Sequence, residues 1–236
     1  MWPRMEQIGE RAGAIYRALR LAIMEQALEP GTKLPEDTIG EQFGVSRTVV
    51  RRALELLASE ELVDIRPNRG ASVAKPTPSE ARDLFSVRQD MEQLVVKRVC
   101  GRLTPEQVAR LEAQIAAEER AIYDGRAEYI RLAAEFHVIL AEMSGSALLA
   151  RYMRQIVGRS ALVLGLYGRP QWSNCSVHEH RDLLAALVSG DLDRVNAMMH
   201  AHLDAVQSRA LETATGDGER GIRDILAAYA QAPADA

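Results

Sequence analysis

Residues Val45-Ser46-Arg47-Thr48-Val49-Val50-Arg51-Arg52-Ala53-Leu54 constrain this chain more than any other stretch. Val50, Leu54 and Leu57 recur at i, i+4 and i+7, which gives a helix one buried face. Ser46 stands where a helix start favours a capping side chain, directly after the Gly44-Val45 pair that would form a turn. Arg47, Thr48 and Arg51 leave the helix on its other side near its N-terminus, with Arg52 beside them. In a helix-turn-helix, that end of the second helix enters the major groove of duplex DNA, where arginine pairs bidentately with guanine O6 and N7. Taken alone, the same residues also fit a surface helix with solvated arginines.

The flanking segments favour the first reading. Residues 12–28, with Ile15, Leu19, Ile23 and Leu28 near one face, read as a helix ended by Pro30-Gly31. Residues 36–43 read as a short helix stopped by Gly44. Leu62-Val63-Asp64-Ile65, a Pro67-Asn68-Arg69-Gly70 turn and Ala71-Ser72-Val73-Ala74 then make a hairpin pattern. Such a hairpin is a wing, and Arg66, Arg69 and Lys75 would set its tip against phosphates or a minor groove. Residues 1–76 are therefore expected to form a winged helix-turn-helix.

Charge refines this expectation. Net charge is only −4, and residues 1–76 hold 11 basic against 11 acidic side chains. The charges are segregated, however: residues 45–54 carry three arginines and no acid, residues 55–64 four acids and no base. Only the groove-facing side must be positive, so a neutral domain argues for sequence-specific, dimer-dependent contact over tight nonspecific binding. Cys100 and Cys175 lie far apart without metal-like spacing, which suits a reducing cytoplasm. The N-terminus has no apolar signal core and no segment approaches a membrane span.

Lys75-Pro76-Thr77-Pro78-Ser79-Glu80 reads as the joint to a second domain, 77–236. Thr77 is a candidate N-cap, Pro78 the first helical residue and Glu80 the reciprocal partner of a capping box, and Thr104-Pro105-Glu106-Gln107 repeats the device. Helices are expected at 78–100, 105–123, 126–143, 146–167, 175–189 and 192–213, an all-α antiparallel bundle, with a further short helix at 219–231. Five polar residues fall on its apolar stripes. Arg88 lies among Leu84, Met91 and Val95, His137 among Ile130, Ala133 and Leu140, and Arg159 among Ile156, Val163 and Leu166. His180 lies among Val177, Leu184 and Leu187, and His202 among Val195, Met199 and Val206, whereas His178 and His200 should face solvent.

A buried arginine needs a partner for its charge, for which Glu92 is one candidate, and three buried imidazoles need hydrogen bonds or a metal. Each histidine alone can be a satisfied core residue. Together, three neutral imidazoles make a natural divalent-metal site, and two arginines can hold an anion. Helical facing does not show that the five converge.

Pro30-Gly31-Thr32-Lys33-Leu34-Pro35-Glu36, Gly44-Val45-Ser46-Arg47-Thr48 and Asn68-Arg69-Gly70, in this order across residues 12–75, resemble the GntR family of bacterial transcription regulators. The resemblance implies that Arg47, Thr48 and Arg51 contact the operator, with Arg69 and Gly70 in the wing; Arg52 is grouped with them. Asp37 stands where the family commonly carries Arg, and Val49 where it commonly carries Pro. Residues 78–213 are similar to the FCD ligand-binding domain of the FadR subfamily. The matching landmarks are Val87-Arg88 with Glu92, Phe136-His137, Glu179-His180, Gly190-Asp191 and His202-Leu203.

In metal-binding members the ligands are three histidines and an Asp. By position His137, His180 and His202 match the histidines, and Ala133 occupies the Asp position. The resemblance implies either a divalent metal such as zinc or nickel held by three imidazoles, or a metal-free site whose histidines bind the effector directly. It also implies a small carboxylic acid effector, which Arg88 and Arg159 would hold. Ser146 replaces a common Asn.

The expected protein is a homodimeric, ligand-responsive regulator, a repressor released by its effector on a palindromic operator. Two other classes fit parts of the pattern. A metal-dependent hydrolase would need a general base at the metal, and Glu135, two residues before His137, should point away. A constitutive DNA-binding protein with a purely structural bundle would leave the inward arginines unexplained.

Overall fold

The structure, a computed structural model, describes residues 9–124, 128–167 and 173–211, together with Ile222 and Leu226. The chain divides into two compact units. One runs to Lys75; the other begins at Pro76. Of the expected helix at 219–231, only Ile222 and Leu226 are described, both helical; the rest lies outside the described residues.

The first unit contains α1 (Glu10–Met24), β1 (Lys33–Leu34), α2 (Glu36–Phe43), α3 (Arg47–Ser59), β2 (Val63–Arg66) and β3 (Gly70–Val73). Ile15, Leu19, Ile39, Val50, Leu54 and Leu57 are buried in it. Truncating one such leucine to Ala typically costs about 2–5 kcal/mol. Gly44, at φ 63°, ends α2, and the Val45 amide bonds back to the Gly40 carbonyl at 2.9 Å. A Cβ on Gly40 would stand 2.9 Å from the Val45 carbonyl oxygen, so the turn closes against a helix that has no side chain there.

Helix α1 is shorter than its apolar pattern. It stops at Met24 because Gln26 turns left-handed at φ 58°, and the Leu28 amide returns to the Ala22 carbonyl at 3.0 Å. Leu28 stays buried after the helix has ended. The wing strands are shifted one residue from the expected 62–65 and 71–74. Arg66 pairs with Gly70, and the Arg69 amide closes on the Arg66 carbonyl. Asn68 takes φ 59° behind Pro67, the positive φ a type II turn needs at its third position. The strand order is β1-β3-β2, all antiparallel. The two-residue β1 carries no alternation from which to read it.

The second unit is helical: α4 (Pro78–Val99), α5 (Pro105–Tyr123), α6 (Tyr129–Met143), α7 (Ala147–Tyr167), α8 (Ser173–Ser189) and α9 (Leu192–Leu211). Both capping boxes form, Thr77 with Glu80 and Thr104 with Gln107. Helix α4 packs on α6, α7 and α9, while α5 packs on α6 and α8. Val95, Val99, Leu111, Phe136, Leu140, Met153, Leu187 and Leu203 share one core. Among the described residues, no helix is long and apolar enough to cross a membrane.

Candidate functional site

Helix α3 starts where its sequence says it should. Ser46 is its N-cap in extended conformation, but it caps through its backbone carbonyl, which accepts from Val49 and Val50; its side chain makes no capping bond. Arg47, Thr48, Arg51 and Arg52 are all exposed, as are Arg69 and Gly70 at the wing tip. The arginines are not bare. Arg47 pairs with Asp37, its Nη2 donating to Oδ2 at 2.7 Å and its Nε contacting Oδ1. Arg51 donates Nε and Nη2 to the two Glu36 oxygens at 3.1 and 2.8 Å, a hydrogen bond that raises its pKa. Arg52 reaches Glu55 at 3.4 Å.

In the helical unit, three histidines from three helices meet. His137 on α6, His180 on α8 and His202 on α9 are 2, 1 and 5% exposed, and their ligating atoms lie within 4.8 Å of one another. His178 and His200 face outward. The Nε2 atoms of His137 and His202 are 3.2 Å apart. Phe136 stacks on the His180 ring at 4.3 Å between centroids and fixes its plane.

A carboxylate stands behind every imidazole. His180 Nδ1 lies 2.8 Å from Glu118 Oε2, and Glu118 also accepts from Ser176. His202 Nδ1 lies 2.5 Å from Glu179 Oε2. His137 Nδ1 lies 2.9 Å from Glu92 Oε1, close enough for an ion pair but out of line for a hydrogen bond. An Nδ1–H donated to a carboxylate leaves Nε2 as the lone pair, the tautomer a metal or ligand proton requires.

Burial favours the neutral form of His202 and His137. It lowers His202 to about 3 against the opposing pull of Glu179, and holds His137 well below the usual imidazole range, with Arg88 and His180 adding to the effect. Arg88, 4% exposed, meets Glu92 through Nε at 3.3 Å. Burial pushes Arg88 down and Glu92 up, and their mutual attraction opposes both shifts.

Four of the five inward residues read from the sequence therefore gather at one place; the fifth is Arg159. It is only half buried, and its charge acts on Glu80 at the start of α4. Glu80 precedes Arg88 by eight residues, roughly 12 Å along a helix. The buried face of α7 is Met153, Val157, Ser160 and Ala161, and Arg159 sits at its edge. The carboxylates at the histidines are Glu92, Glu118 and Glu179; Glu135 pairs outward with Arg131. Glu118 lies on the stripe Leu111, Ile115, Glu118 and Ala121, so the spacing test applied to the histidines finds it too.

The histidine set also passes a chemical test for a divalent cation. His180 Nε2 is buried without a hydrogen-bond partner, and two Nε2 atoms face each other at 3.2 Å. Metal–nitrogen bonds of about 2.0–2.1 Å place tetrahedral ligands roughly 3.3 Å apart. One cation held by the three Nε2 atoms would satisfy all of them.

A winged helix-turn-helix followed by a helical unit with a buried polar cluster is the arrangement of a DNA-binding transcription regulator. The chain matches the family described as "Bacterial regulatory proteins, gntR family" over residues 11–73 and the FCD domain over residues 83–205. It belongs to the GntR family, with the FCD architecture of the FadR subfamily, and is a DNA-binding transcriptional regulator, not an enzyme.

The HTH-type transcriptional repressor RspR of Escherichia coli (strain K12) is 30% identical over 81% of this chain and 85% of its own length. The Uxu operon transcriptional regulator of the same strain is 28% identical over 88% of each chain. The uncharacterized regulator YdhC of Bacillus subtilis (strain 168) is 31% identical, but the alignment spans 55% of this chain and 58% of that one. A GntR regulator from Rhodococcus sp. RHA1 shares the fold with a TM-score of 0.75 at 24% identity, over 85% of this chain and 97% of that one.

Proposed function

We propose that the chain is a homodimeric repressor that reads a palindromic operator with α3 and the wing, and that a small carboxylic acid bound in the helical unit releases it. It would act in the cytoplasm, where its operator is. His137, His180 and His202 would hold a zinc or nickel ion that offers open coordination positions to the acid's oxygens. Arg88 supplies the complementary charge. Among the described residues its ion-pair partner is Glu92, met through Nε, which leaves the terminal amino groups as donors for a carboxylate. Arg159, half buried with its charge acting on Glu80, would share this role.

The observation that carries this reading is the meeting of three buried imidazoles, each with a carboxylate beside its Nδ1, in the interior of a helical unit. A purely structural core gains nothing from unpaired polar atoms at His180 Nε2 and Glu92 Oε2, whose burial costs about 1–3 kcal/mol each. Helix α4 carries Arg88 and Glu92 and is joined to β3 of the wing by residues 74–77. A ligand that shifts α4 can thus change the spacing of the two readers in the dimer. Couplings of about 1–3 kcal/mol suffice for regulation.

The test selects an operator from random duplexes with the full chain, then measures its affinity against a panel of carboxylic acids with and without zinc. An acid that weakens operator binding and fails to do so in Arg88→Lys, which keeps Glu92 paired but loses the bidentate edge, supports the reading. Operator binding indifferent to every acid, in the presence and absence of metal, overturns it.

A further inference from the structure

Both reading arginines are gripped in the same way. A guanidinium has two bidentate edges: one formed by Nε and Nη2, the other by Nη1 and Nη2. Asp37 occupies the Nε–Nη2 edge of Arg47, and Glu36 the Nε–Nη2 edge of Arg51. The end-on edge of each stays available, and that edge matches guanine O6 and N7.

We infer that Asp37 and Glu36 are specificity-determining buttresses, which hold Arg47 and Arg51 as end-on readers of guanine and withhold them from phosphates. The inference rests on the assignment of Arg47 and Arg51 to the DNA-reading surface. Stability does not account for these pairs. Arg47 and Asp37 are 69 and 57% exposed, and an ion pair so exposed contributes about 0–1 kcal/mol to folding. In a groove that excludes water, the same pair strengthens, because the screening that weakens it is removed. The held arginine then spends little entropy on finding its base.

Against phosphates the effect reverses. To reach a phosphate side-on, either arginine must leave its carboxylate, and the abandoned acid then faces a polyanion. Asp37 is therefore costly on arbitrary DNA and tolerable only where a guanine accepts the free edge. The equal numbers of acids and bases in residues 1–76 fit a reader that forgoes nonspecific attraction.

The experiment uses the full-length chain, a duplex enriched from a random pool by the wild type, and a shuffled duplex of the same composition. Anisotropy titrations over a salt series compare wild type with Asp37→Asn and Glu36→Gln. Asp37 is exposed, so its replacement leaves the fold intact. Each variant is expected to bind the shuffled duplex several-fold more tightly, with a salt slope steeper by about one. The ratio of enriched to shuffled affinity falls, and reselection with each variant loses a guanine preference within the half-site.

An unchanged ratio in both variants would overturn the inference, and so would equal weakening on both duplexes. Arg47→Ala separates the two levels. If it leaves binding to the enriched duplex unaltered, Arg47 is no reader and the error lies in the assignment beneath; if it weakens that binding while Asp37→Asn changes nothing, the buttress alone is wrong.

Discussion

Glu118 Oε2 lies 2.8 Å from His180 Nδ1, two fully buried side chains drawn together from helices 62 residues apart in sequence. The pair sets which ring nitrogen carries the proton and aims Nε2 at His137 and His202. Carboxylates that stand behind metal-binding histidines typically contribute about 10–100-fold to affinity. Glu118→Gln is expected to weaken zinc binding within that range while the protein remains folded by circular dichroism. Unchanged zinc affinity would show that Glu118 only fills its place in the core.

At the DNA surface, Arg47→Ala should cost roughly 1–3 kcal/mol on the selected operator and relax base choice at one position. Competition with duplexes mutated one pair at a time reads this directly. Equal losses on every sequence would assign Arg47 to the phosphate backbone.

Removing one partner of a buried ion pair leaves the other uncompensated, at about 3–5 kcal/mol. Arg88→Ala should therefore lower stability sharply, because Glu92 has no solvent exposure. Arg88→Met with Glu92→Leu should recover much of the loss, since no charge is then stranded. Urea denaturation of the three proteins provides the comparison. Equal stability of the single variant and the wild type would contradict the buried pair.

Glu80 supplies a pH signature. The backbone amide and the hydroxyl of Thr77 hold its carboxylate below the ordinary range. A depressed carboxylate contributes stability above its unfolded value, about 4.3, and loses it as pH falls through the lower folded value. The melting-temperature gap between wild type and Glu80→Gln should be present at pH 7 and close on acidification below about 4. A gap that widens in acid would contradict the sign.

Much of this was legible in the chain because spacing reports facing. The run Val50, Leu54 and Leu57 identified the buried side of α3, and hence the outward set Arg47, Thr48 and Arg51. The same rule placed His137, His180 and His202 inside and His178 and His200 outside. Where local backbone decides, the rule fell short: α1 ends at Met24 through a left-handed Gln26 that no apolar pattern records. Arg159 is long and half buried, so a stripe-edge position does not fix where its charge goes. Glu118 and Glu92 share stripes with apolar neighbours, but which imidazole each would meet depends on helix packing.

The most direct test is a zinc titration of the full chain after chelator treatment, followed by competition against an indicator. The account predicts saturable uptake of one ion per chain, lost in His137→Ala and in His202→Ala. No saturable uptake, or uptake that survives removal of all three histidines, would contradict it.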